Sequence, residues 1–200
     1  MNNVFWISFK YLLTAYLAVL IPIYYRNYGI QNFLWLSDIG LFLTALGLWI
    51  NSGLLVSMAA VGVIFLESVW NIDFFFFFFF NVNLIGLSEY MFDNSYSKSL
   101  RGLSLFHIFM PIIWVLYLAQ YGYDNRAILY FVFLYWTVLF LVYFFTKPKE
   151  NINWVFFPEL HSSIRLMRLV SGLRWVAILF IFVPLLIFLP THYILAKLFS

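Results

Sequence analysis

ILYFVFLYWTVLFLVYFF, residues 128–145, runs for eighteen residues without an Asp, Glu, Lys, Arg or His. With its flanks it reaches the roughly 20 apolar residues that a helix needs to cross the hydrocarbon of a bilayer. Five other runs are alike: Leu12–Tyr25, Phe33–Ile50, Leu54–Leu66, Leu103–Tyr121 and Trp175–Leu189. Tyrosines aside, the six together hold two ionisable side chains, Asp38 and His107. Working outward, these runs predict helices over about 5–25, 33–50, 54–72, 101–121, 127–145 and 174–195. The fold class that follows is all-α: a single polytopic membrane helix bundle over residues 1–200, with about six transmembrane helices.

The rest of the composition agrees. Apolar residues make up 65% of the chain and charged residues 10%, against roughly 25% charged in soluble domains. Fourteen Tyr and eight Trp suit a chain with many membrane–water boundaries, where amphipathic rings settle. There is no cysteine, which excludes disulfides, thiolate nucleophiles and thiolate-bound metals. A formal charge of +3 is too small to point to nucleic acid. Met1–Lys10 lacks the basic start of a signal peptide and no small-residue cleavage site follows Leu12–Tyr25, so the first run reads as a retained helix.

Two stretches are not simple spans. The first, 73–100, opens on seven consecutive phenylalanines, Phe74–Phe80. The apolar stretch Phe74–Leu87 would be about 21 Å long as a helix, short of a roughly 30 Å core. It is predicted to be a half-embedded or re-entrant segment. The second, 146–173, is a long loop; within it His161–Arg174 puts Arg165 and Arg168 on one helical face and Ile164, Met167 and Val170 on another. That pattern suits a helix lying on anionic lipid headgroups, although basic residues that only enforce topology look the same. With six spans, Arg26, Lys98, Arg101, Lys147, Lys149, Arg165, Arg168 and Arg174 share one face, and Lys10, Arg126 and Lys197 the other. The more basic face belongs in the cytoplasm. A crossing by Phe74–Leu87 would give seven spans and an equally good count.

Helices two, three and four bring ionisable groups to one level. Asp38 lies near the start of the second, Glu67 near the end of the antiparallel third, and His107 near the start of the fourth. A charge near the bilayer centre costs roughly 2.5–3.5 kcal/mol, so such groups turn inward and find partners. Asn71 is four residues from Glu67 and shares its face. Pro111 has no N–H for the carbonyl of His107, which frees that oxygen. Two carboxyls and an imidazole form an acid–base set, or with water a hard-metal site. The plain alternative is that Asp38 caps a helix, Glu67 bonds a neighbour and His107 is a packed polar residue. No HxxxH or HxxE spacing marks a metal, and the sequence names no cofactor. Asn71, Asp73, Arg101, Asn151 and Asn153 lie at the same face as candidate substrate-binding groups.

Several strings are familiar as a set: Asn32–Asp38, Glu67–Asp73, Tyr90–Asp93, Arg101–His107 and Glu150–Trp154. The chain resembles a family of bacterial integral membrane proteins of about this length that has no assigned activity. The likeness covers helices two to five and the start of loop 146–173, and it implies a bacterial cytoplasmic membrane and no particular chemistry. The leading expectation for function is an enzyme acting on a lipid or other amphiphile at the cytoplasmic interface, because the polar layer lies near one surface. A proton- or cation-coupled transporter or channel and a non-catalytic scaffold subunit are the alternatives.

Overall fold

A computed structural model describes residues 4–157 and 172–200. The interfacial helix expected around Arg165 and Arg168 lies outside the described residues. The elements are α1 (Val4–Tyr28), α2 (Leu36–Trp49), α3 (Gly53–Phe80), α4 (Lys98–Leu103), α5 (Phe106–Tyr121), α6 (Ala127–Phe145), α7 (Leu173–Val183) and α8 (Leu189–Phe199). A π-helical turn at Pro184–Phe188 joins α7 and α8. Five helical rods are long and apolar enough to cross a membrane: α1, α3, α4 with α5, α6, and α7 with α8. By length and composition this is a multi-pass membrane protein. The sixth rod, α2, has 14 residues, about 21 Å.

The rods alternate in direction, so the connections fall on two faces. One, the turn face, carries the tight links at 50–52 and 122–126 and the end of α8, where Tyr123 N donates to Phe199 O at 2.9 Å. The other, the loop face, carries residues 29–35, 81–97 and 146–157. α3 sits at the centre. Its residues Val56–Val63 are buried, and it packs on α2, α5 and α6. Gly62 makes that possible: a Cβ there would lie 1.9 Å from Cζ of Phe131 on α6. The short pairs Gly40/Thr44 and Gly53/Ser57 are less decisive. Gly40 lets Val63 and Trp114 approach, whereas Gly53 has its first neighbour at 3.9 Å.

The structure corrects the reading of the phenylalanine run. Phe74–Phe80 opens no separate segment; it forms the last two turns of α3. The expected stop at Asp73 fails because nothing there breaks a helix, and the aspartate side chain is used elsewhere. Its Oδ1 accepts from Ile85 N at 2.8 Å and Gly86 N at 3.1 Å. Its Oδ2 accepts from Ser88 N at 2.9 Å and Ser88 Oγ at 2.8 Å. Asp73 thus anchors the returning loop to α3. α3 ends at Asn81, which takes the left-handed conformation (φ 55°) that closes many helices. Phe92 then folds back onto Phe77 and Phe74, at centroid distances of 4.3 and 5.3 Å. With the run absorbed into α3, the described chain has six rods rather than seven.

Candidate functional site

Two of the three residues expected at one depth, Glu67 and His107, meet at the first turn of α5. Two backbone defects define it. The chain turns at Ser104–Leu105 between α4 and α5, so His107 N bonds Ser104 O at 3.3 Å. That frees Leu103 O, which accepts from the hydroxyl of Tyr16 on α1. Four residues on, Pro111 has no N–H to offer His107 O. Asn71 of α3 fills this gap: its Nδ2 donates to His107 O at 2.7 Å and to Glu67 O at 2.8 Å. The carbonyl freed by the proline therefore meets the asparagine placed four residues after Glu67. Tyr24 completes the α1 side, its hydroxyl 3.0 Å from Ser104 Oγ.

The imidazole of His107 is fixed from three directions. Nδ1 lies 2.6 Å from Oε2 of Glu67, whose side chain is 3% exposed against 14% for the histidine. The ring stacks on Trp70 at 4.6 Å and on Phe106 at 4.2 Å. Among the described residues Nε2 makes no hydrogen bond. Tyr90, from the returning loop, reaches Ser104 and Trp70, and its burial pushes the phenol up.

Asp38 joins this pair through space rather than by a bond. It is 2% exposed in the first turn of α2, where a helix N-terminus favours a carboxylate. Its Oδ2 accepts from Asn32 Nδ2 at 3.2 Å, and it lies within electrostatic reach of both His107 and Glu67. Oδ1 of Asp38 and Oδ1 of Asn71 are buried and have no hydrogen-bond partner. Such orphaned acceptors are unusual, because buried polar atoms are nearly always paired. Among the described residues no three His, Asp or Glu side chains are grouped as a metal ion would require.

The candidate substrate-binding residues divide. Asn71 belongs to the layer, but its amide donor is committed to backbone. Asp73 is committed to the loop. Asn151, in the left-handed region (φ 39°), accepts from Phe156 N and Phe157 N and donates to Phe157 O. Asn153 accepts from Leu36 N at 3.0 Å and donates to Leu34 O at 2.8 Å. It thereby satisfies one of the first N–H groups of α2, which no turn of the helix itself can reach. These bonds give Asp73, Asn151 and Asn153 a structural role at the loop face. Arg101 donates to Met91 O at 3.2 Å and otherwise keeps its donors.

Residue typing missed Tyr16, Tyr24, Trp70 and Tyr90. Tyrosines and tryptophans were read as interfacial belts, and nothing in their local sequence separates a boundary ring from one turned inward. Deeper in the bundle the polar atoms are already paired. Thr44 accepts from Trp114 Nε1 at 2.7 Å, and Ser57 accepts from Asp124 N at 3.1 Å.

In comparisons with known proteins the chain matches no family model, no curated protein and no solved structure.

Proposed function

We propose that this protein is a membrane-embedded enzyme acting on a lipid or other amphiphile. In this reading His107 is the general acid–base group. The observation that carries it is the 2.6 Å contact of Glu67 Oε2 with His107 Nδ1, which leaves Nε2 uncommitted. A carboxylate on Nδ1 holds the proton there, so Nε2 presents its lone pair. Nε2 takes a proton from an attacking hydroxyl or water and returns it to the leaving oxygen. Glu67 stabilises the imidazolium between those steps, and Asp38 lies within electrostatic reach of both. The membrane is the bacterial cytoplasmic membrane, in keeping with the resemblance of the residue strings. The loop face, the more basic one, is cytoplasmic.

Transport of protons or cations finds less support. Between the layer and the turn face, Thr44 and Ser57 are fully buried and engaged, and Gly40, Val63 and Trp114 pack against one another. A non-catalytic scaffold would leave the uncommitted Nε2 of His107 without a role. The test is to place the purified protein in nanodiscs of total bacterial lipid and follow the lipids by mass spectrometry. Wild type is expected to consume one lipid class and build a product, and His107→Gln to leave both unchanged. Lipids untouched by wild type would overturn the reading, and proton or cation flux from that same protein in liposomes would put transport in its place.

A further inference from the structure

A shallow groove of about 300 Å³ on the loop face is lined by Met91, Lys98, Arg101, Gly102 and Leu105. Its two charged linings are both cations, three residues apart on α4, so they share one side of the helix. Among the described residues no carboxylate lines it. Asp93 acts on Arg101 through space, but Ser95 N and Oγ each hold it at 2.8 Å, and these bonds keep its carboxyl below the usual range. Gly102 leaves the floor open, since nothing lies within 4 Å of where its Cβ would be. The Arg101–Met91 bond fixes the guanidinium at the rim with the rest of its fork to spare.

Below the groove, Leu105 begins a stripe that continues through Phe109, Ile112 and Leu116 of α5 at helical spacing. The last three are 59, 55 and 48% exposed, which in this chain is the surface facing acyl tails. A cation pair thus crowns a lipid-facing stripe on one rod. A free phosphate has no use for the stripe; a phospholipid uses both. Arg101 and His107 are six residues apart, about 9 Å along a helix axis.

We propose that this groove seats the phosphate of an anionic phospholipid, with Lys98 and Arg101 on its oxygens and its tails along Phe109 and Ile112. Such a lipid places the linkage between headgroup and tails at the height of His107, whose ring meets α3 on the other side of the rod. As a lipid site the groove stands on its own observations. As the substrate site it rests on the functional reading above.

The test is native mass spectrometry of the full chain in mild detergent, titrated with phosphatidylglycerol, with diacylglycerol and with inorganic phosphate. Wild type is expected to retain phosphatidylglycerol at least about tenfold more than diacylglycerol, with retention weakening as salt rises. Lys98→Gln with Arg101→Gln should lose that tenfold preference, Lys98→Arg with Arg101→Lys should keep most of it, and His107→Gln should keep it all. Salt-independent retention, or a Gln pair that binds like wild type, would overturn the site. Displacement of the lipid by millimolar inorganic phosphate would overturn the lipid as its source. Because His107→Gln removes turnover and spares retention, failure of the groove and failure of the enzyme reading give different results.

Discussion

Replacing Gly62 with alanine is expected to cost about 3 kcal/mol, the upper part of the range for overpacking a core. It should lower the thermal midpoint of the purified protein more than any other single-methyl addition. The added carbon would lie 1.9 Å from Cζ, 2.0 Å from Cε1 and 2.4 Å from Cδ1 of Phe131. That ring cannot give way cheaply. It is fully buried and meets Phe188 edge-on at 5.2 Å. α3 and α6 must therefore separate, and α3 carries Glu67, Trp70 and Asn71. Phe131→Leu opens the space, so the double variant should be less destabilised than the sum of the two singles, a coupling of about 1–3 kcal/mol for residues in contact. A Gly62→Ala protein that melts with wild type would show that the two helices are not packed as described.

The second large effect falls on the buried pair. His107→Ala leaves the Glu67 carboxyl, 3% exposed, without its hydrogen-bond partner, and stranding a buried charged acceptor costs about 3 kcal/mol or more. Glu67→Gln should be gentler, about 1–3 kcal/mol, because the amide still reaches the ring. Removing both members should cost less than the two singles added, since neither is then stranded. Lipid turnover is expected to fall on the order of 100-fold or more in either single variant, the usual contribution of a positioned acid–base group. The comparison that decides is Glu67→Gln: its turnover should fall far more than its stability. A Glu67→Gln protein with wild-type turnover would reduce the pair to packing.

The helices were legible because hydrophobic runs of this length have one main solution. The meeting of Glu67 with His107 was legible too, because antiparallel rods turn residue counts into depths. That put Asp38, Glu67 and His107 at one level, and Pro111 marked the carbonyl that Asn71 takes. The phenylalanine run was misread by length. Seven identical side chains carry no signal for where a helix stops, so the boundary was assigned to Asp73, whose carboxyl instead holds four groups of a loop twelve to fifteen residues away. The backbone partners of Asn151 and Asn153 were hidden for a related reason. An asparagine that serves a ligand and one that caps a distant backbone look alike in sequence. Gly62 went unnoticed because its importance lies in a ring on another helix.

The most direct measurement is the ¹⁵N spectrum of His107 in lipid bilayers, assigned by its loss in His107→Gln. The account predicts that the neutral ring carries its proton on Nδ1, with Nε2 bare, and that Glu67→Gln disturbs this preference. A proton on Nε2, or a tautomer indifferent to Glu67, would contradict it.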